Sequence, residues 1–407
     1  MPTAARHIGL GIVLACLAAT LTLGLAVKAP CASGQWSDGR QYTRLCYTDI
    51  VPLLATEQLT GGRLPYLDAC EGSSAQCDEY PVLSMWAMRL MAWVSGPDLG
   101  AYFTANAVLL TIAAFVTTLA LYLIVGVRAL YFALAPTLLV YGYINWDLLA
   151  VAFATVATLL YLKRRDVWSG ALLGLGAAAK IYPALLVVPF VAGRFRAREP
   201  DRGIHLAWAA AAAWAVVNVP FAIAAPRGWW EFFRFNSARP TDWDSLWFIA
   251  CHRLSGDYPC DGTRLINAMS LVLFVVLVAG VWRWKVARDP GFARWTLGFP
   301  VLVLFVLSNK VYSPQYSLWL LPWFALALPD LRLFAAFEAA DVAVFVTRFS
   351  WFAELAGFGG MPIGLFEAAV VVRAVILAAC VLAWVRRREP APVAAEPRTE
   401  PALAAAR

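Results

Sequence analysis

The run IGLGIVLACLAATLTLGLAV, Ile8 to Val27, decides how the rest of the chain is read. Its length matches the roughly 20 apolar residues a helix needs to cross a ~30 Å hydrocarbon core. It follows Arg6 and His7, and Cys31-Ala32-Ser33 resembles a small-residue cleavage site, as in a signal peptide. Many comparable runs follow, so the expectation is an uncleaved first helix with its N-terminus in the cytoplasm. Of the 407 residues, 61% are hydrophobic and 14% charged, too apolar for a soluble domain of this size. A backbone in lipid must satisfy its own hydrogen bonds, and at this run length only helices do so. The fold class is therefore an all-α polytopic membrane protein.

The net charge of +7 is no nucleic-acid footprint, because the cations sit between apolar runs. Lys163-Arg164-Arg165, Arg194 to Arg202, Arg283 to Arg294 and Arg386-Arg387-Arg388 mark cytoplasmic loops by the positive-inside rule. Threading them to one side gives about twelve spans, at 8–28, 102–126, 130–145, 147–162, 167–180, 181–193, 204–225, 263–284, 293–308, 316–329, 332–348 and 362–385. A single helix over 167–193, broken at Tyr182-Pro183, would put Arg194 to Arg202 outside, so two paired spans are preferred. Val82 to Val94, which carries Arg89, is expected to be exoplasmic or partly inserted. Residues 1–388 then form one integral membrane domain with exoplasmic loops at 29–81 and 226–262. The Pro-, Ala- and Glu-rich stretch 389–407 reads as a disordered cytoplasmic tail.

Cysteine placement supports this topology. Of 8 cysteines, Cys16 and Cys380 fall within spans and the others within exoplasmic loops, where disulfides persist. The four in the first loop allow three connectivities. Nearest-neighbour pairing gives Cys31–Cys46, Cys70–Cys77 and, in the second loop, Cys251–Cys260.

The polar residues worth chemistry gather on the same face. Pro52 suits an opening helical turn, so a short helix is expected from near Asp49 to Gly61-Gly62. There the macrodipole favours an ionised carboxylate, fit for a general base; from local sequence alone, plain helix capping by Asp49 is the commoner reason for such a placement. Glu79-Tyr80-Pro81 opens the next helical stretch. Asn145-Trp146-Asp147 puts an amide and a carboxylate at a junction of spans, where ionisable groups are costly and usually functional or paired. Lys180-Ile181-Tyr182-Pro183 and Lys310-Val311-Tyr312-Ser313-Pro314 each set a lysine and a phenol beside a helix-breaking proline. Such a pair suits a phosphate, although either lysine alone is equally consistent with snorkelling to the interface. Arg234, Arg239 and Arg348 are further cations on this face, in weaker local context.

These strings together resemble glycosyltransferase family 87, actinobacterial GT-C membrane enzymes that include the mannosyltransferases of phosphatidylinositol-mannoside assembly. The resemblance is carried by Tyr47-Thr48-Asp49-Ile50, Pro65-Tyr66-Leu67-Asp68 leading to Glu79-Tyr80-Pro81, Asn145-Trp146-Asp147-Leu148-Leu149-Ala150, Gly174 to Pro183, and Ser308 to Tyr316. It runs from the first span to about residue 325. It implies a GT-C bundle and a polyprenyl-phosphate sugar donor, with mannose the expected sugar. It further implies a lipid or cell-envelope glycan acceptor and inverting transfer at the extracytoplasmic face of the cell membrane. Asp49 matches the family's first-loop base. Lys180, Tyr182, Lys310 and Tyr312 are then the candidate donor-phosphate ligands, with Glu79, Tyr80, Asn145, Asp147, Gln315 and Tyr316 as further pocket candidates. The sequence departs from the family in the Cys70 to Cys77 insertion and in Ser313-Pro314-Gln315-Tyr316, where the phosphatidylinositol-mannoside branch has a histidine; His7, His205 and His252 lie elsewhere. There is no Cys/His metal spacing, and neither a metal nor an organic cofactor is expected. The competing class is a transporter or flippase of a lipid-linked sugar, but such proteins commonly carry internal repeats and a mid-membrane site. Here the paired Lys-x-Tyr strings are the sole hint of repetition.

Overall fold

The computed structural model describes residues 3–72, 77–256 and 263–388, and among them every regular element is helical. Five helices are long and apolar enough to cross a membrane: His7–Ala32, Leu99–Ala133, Pro200–Ala224, Thr263–Arg288 and Ile363–Arg386. Leu331–Leu355 is comparably long but buries Glu338, Asp341 and Arg348. Several expected spans are shorter pieces. Span 130–145 divides into Leu130–Ala133 and Pro136–Tyr141, because Pro136 has no N–H to continue the first piece and instead opens the second. Span 316–329 is a 3-10 turn, Pro314–Trp319, followed by Leu321–Leu326, with Pro322 at its start.

The 166–196 region folds back on itself. Asp166–Ala179 stops at Lys180, whose backbone is extended, and Tyr182–Leu186 leads into Val187–Arg196. Arg194 Nε donates to Asp166 Oδ1 at 2.6 Å, so the two ends of the hairpin meet. Gly170 and Gly174 let Asp166–Ala179 lie directly on Pro200–Ala224. A Cβ at either glycine would sit 2.1 or 2.2 Å from the carbonyl oxygen of Leu206 or Ala210, the close approach that small-xxx-small pairs permit.

Contacts give the bundle two chemically different ends. At one end Arg194 and Arg202 share Asp166, Gly193 lies against Arg294, and Phe292 packs edge-on against Trp384. Lys285 pairs there with Asp289 at 3.4 Å. The basic runs thus collect together. The opposite end carries the Cys31–Cys46 and Cys70–Cys77 disulfides; Cys260 and the expected tail lie outside the described residues.

At that second end the polar loops are ordered by short helices. The first loop holds Arg40–Thr43 and Ile50–Thr56 and leads into Val82–Ser95, which packs on the bundle through a Ser84 Oγ hydrogen bond to the Ala179 carbonyl at 2.7 Å. The stretch from 226 is helical rather than simply looped: Pro226–Ala238 starts on its proline, and Leu246–Leu254 is capped by Ser245 Oγ accepting from Phe248 N–H.

Candidate active site

Tyr47-Thr48-Asp49 is stitched edge to edge onto Tyr143-Ile144-Asn145. Thr48 Oγ1 donates to the Tyr143 carbonyl at 2.8 Å, and the Asp49 N–H donates to the Ile144 carbonyl at 2.9 Å. On this ledge Asp49 Oδ1 accepts from the Tyr47 hydroxyl at 2.6 Å and Oδ2 from Asn145 Nδ2 at 3.2 Å. The same Asn145 amide donates to the Tyr80 hydroxyl at 2.8 Å. Asp49 precedes Ile50–Thr56, yet its side chain makes no cap bond. The helix also stops short of Gly61-Gly62, because Gln58 takes a left-handed φ of 50°. The carboxylate is thus aimed away from its helix and into a cavity. Burial pushes its carboxyl above the ordinary aspartate range, while the Tyr47 and Asn145 hydrogen bonds and the Arg348 and Lys180 charges pull it back. The result is a stronger base than a free aspartate.

The cavity, about 620 Å³, is walled by Asp49, Glu79, Tyr80, Arg239, Arg348 and the aromatic faces of Trp243 and Phe349. A second chamber of about 350 Å³ adjoins it, sharing Glu79, Tyr80, Arg239, Ser313 and Gln315 as walls. Lys180, Tyr182, Lys310 and Tyr316 line the second chamber. At Pro81, Ile181 and Phe232 it meets an apolar hollow of about 680 Å³, lined largely by small and aromatic residues, among them those of Asp166–Ala179 and Pro200–Ala224.

The two lysines are held differently. Lys180 Nζ reaches Asp147 Oδ2 at 3.2 Å and lies 5.0 and 5.1 Å from the Tyr80 and Tyr316 ring centres. Asp147 is fully buried behind it, its Oδ1 accepting from Trp319 Nε1 at 2.6 Å. Lys310 Nζ donates to the carbonyls of Ser237 and Arg239 at 3.1 and 2.7 Å. Burial, and then Arg239, lower its ammonium to about 8. Tyr182 stacks on Trp319 with centres 4.3 Å apart. Tyr312 lines neither chamber; its hydroxyl meets Ser317 Oγ at 3.0 Å, and the Arg373 guanidinium lies 3.9 Å from its ring centre. Of the pocket candidates, Glu79, Tyr80 and Gln315 border both chambers, Tyr316 borders the second, and Asn145 and Asp147 stand behind the walls as supports.

Sequence reasoning gave little weight to Arg239 and Arg348, and none to Asp242 or Lys28. Asp242 Oδ1 accepts from Arg348 Nη1 at 3.2 Å, and Oδ2 from Ser313 Oγ at 2.9 Å and Arg239 Nη2 at 3.3 Å. Burial opposes its ionisation, but Arg348 and Arg239 hold the carboxyl below the usual range. The available signal was a charged residue inside an apolar run, as at Lys28 and Arg348, which is costly unless partnered or used. Glu57 does related work in the first loop. Its carboxylate accepts from the N–H groups of Asp78 and Glu79, at 2.5 and 3.3 Å, and so fixes where Glu79 enters the wall. Among the described residues no group of three or more His, Cys, Asp or Glu stands together to hold a metal ion.

Two solved structures of ArnT from Cupriavidus metallidurans are similar to this chain. The one bound to undecaprenyl phosphate has 15% identity and the apo state 14%, each with a TM-score of 0.47 and covering 92% of this chain and 76% of that one. No curated protein matches. The model of glycosyltransferase family 87 matches residues 79–308, more than half of the chain, a region that includes Lys180 and ends just before Lys310. The chain belongs to glycosyltransferase family 87.

Proposed function

We propose that the protein is an integral membrane hexosyltransferase that moves mannose from a polyprenyl-phosphate donor to a lipid or envelope glycan acceptor, with inversion at the anomeric carbon. The observation that carries this reading is the juxtaposition of a carboxylate chamber, an ammonium-lined chamber and an apolar hollow, in that order. An amphiphilic donor suits such a sequence: prenyl chain in the hollow, phosphate beside Lys180 and Lys310, sugar near the wall shared with the first chamber. The acceptor enters through the first chamber. As its hydroxyl oxygen attacks the anomeric carbon, Asp49 takes the hydroxyl proton, and the bond from that carbon to the phosphate oxygen breaks. The electron pair leaves with the polyprenyl phosphate, whose charge the lysines offset. A positioned base contributes ~10²–10⁴-fold, and charge stabilisation at the leaving group is usually the larger effect.

Orientation follows from the two ends of the bundle. With the basic runs cytoplasmic under the positive-inside rule, the chambers and disulfides face the exterior. Purified protein given radiolabelled polyprenyl-phosphate mannose and an envelope lipid extract should form a new glycosidic product, and polyprenyl-phosphate glucose should compete poorly. Asp49→Asn should still bind donor but lose ~10²-fold or more in transfer. Full transfer by that variant removes Asp49 as the base, and movement of intact donor across vesicles without a new bond marks a flippase.

A further inference from the structure

Lys28 lies near the end of the first helix, Thr3–Ala32, with 1% of its surface exposed. Its Nζ donates to the Tyr47 carbonyl at 2.5 Å and to the Val140 carbonyl at 3.3 Å, and stands 5.8 Å from the Phe345 ring centre. None of these partners is a carboxylate. Burying an ammonium among helices is expensive, and this one makes no ion pair in return.

The two carbonyls explain the placement. Tyr47 is the residue whose hydroxyl bonds Asp49. Val140 belongs to Pro136–Tyr141, the helix that delivers Tyr143, Ile144 and Asn145 to the opposite side of the ledge. Lys28 therefore ties both edges of the ledge from beneath. The other titratable or charged groups facing Asp49 are Tyr47 beside it, Glu79 and Tyr80 from the end of the first loop, Lys180 from its hairpin turn and Arg348 from Leu331–Leu355. Of the cations among them, Lys180 and Arg348 are already engaged by Asp147 and by Asp242 with Asp244. Among the described residues, Lys28 of the first helix forms no ion pair with an acidic side chain.

We propose that Lys28 is a positioning residue for the transfer step: its ammonium fixes the two edges of the ledge and adds its charge to those of Arg348 and Lys180 in favouring the ionised Asp49 carboxylate. This inference rests on Asp49 acting as the base. In the full-length protein, Lys28→Met removes both the charge and the tie. Its kcat should fall about tenfold or more with donor KM unchanged, and the acid limb of the kcat profile should move up by about one pH unit, because loss of a nearby cation makes a carboxylate easier to protonate. Lys28→Gln keeps an N–H donor for the carbonyls without the charge; it should recover part of kcat while retaining the displaced limb. It also carries the test if Lys28→Met does not fold. Wild-type kcat and an unmoved acid limb in folded Lys28→Gln overturn the proposal. Asp49→Asn run alongside separates the two readings: an active variant removes the base itself, whereas an inactive one beside an unaltered Lys28→Gln removes only the role of Lys28.

Discussion

Lys180-Ile181-Tyr182-Pro183 and Lys310-Val311-Tyr312-Ser313-Pro314 look like two copies of one device, and the fold gives them different employment. Both follow a helix end and both lysines border the same chamber. Lys180 is part of a closed electrostatic unit, paired to buried Asp147 and flanked by the faces of Tyr80 and Tyr316. Lys310 has carbonyl partners only, and its charge is correspondingly easier to lose. The tyrosines diverge too: Tyr182 stacks against Trp319 at the chamber wall, and Tyr312 turns into the buried polar network around Arg373. What distinguishes the copies is the neighbour brought from elsewhere in the chain, not the string itself.

The sharpest way to break the comparison is Lys180→Met. Removing one partner of a buried pair strands the other charge, at a cost of about 3–5 kcal/mol. We expect a large drop in thermal stability together with loss of transfer. A stable, active Lys180→Met would show that the Asp147 pairing is not what sets Lys180 apart. Lys310→Ala should act chiefly on the donor. The expected result is a rise in donor KM of about tenfold, the scale of one charge-assisted contact, with a loss of melting temperature well below that of Lys180→Met, because the Ser237 and Arg239 carbonyls lose a donor but no charge is stranded. Equal stability losses in the two variants would erase the distinction between the lysines.

A pH titration sharpens the same contrast. With its ammonium lowered to about 8, Lys310 is charged below that pH and neutral above it. Donor KM should therefore climb as pH passes 8, by several-fold, and the climb should be missing in Lys310→Ala. A climb that persists in the variant assigns the effect to another group.

How much of this was legible beforehand depends on the range of the interaction. Runs such as Ile8 to Val27 and the basic clusters declare helices and their polarity locally, because hydropathy and charge act residue by residue. Pro136 and Pro322 were visible as helix breakers, yet where the broken pieces end depends on packing. Pro226 and Ser245 were readable start signals for helices inside what looked like a plain loop. Asp49 stood out through its motif, but that its side chain would forgo the cap for Tyr47 and Asn145 required the Ile144 edge, 96 residues away from Thr48. Arg348, Asp242 and Lys28 belong wholly to this second kind. A charge inside an apolar run flags Lys28 and Arg348 as costly, but their partners come from distant elements and no local pattern names them.

The smallest expected effect tests the tyrosines. Tyr312→Phe removes a hydroxyl that meets Ser317 Oγ at 3.0 Å within a network in which Ser317 in turn donates to Asp341 Oδ1 at 2.7 Å. Ser317 keeps its acceptor, so the network loses one neutral bond and strands no charge; the cost should be about 1 kcal/mol of stability. The ring remains for the Arg373 guanidinium to cover. Because the hydroxyl borders neither chamber, donor KM should stay at the wild-type value. A rise in donor KM matching that of Lys310→Ala would mean that Tyr312 turns toward the phosphate during turnover, and the two strings would then be alike in function after all.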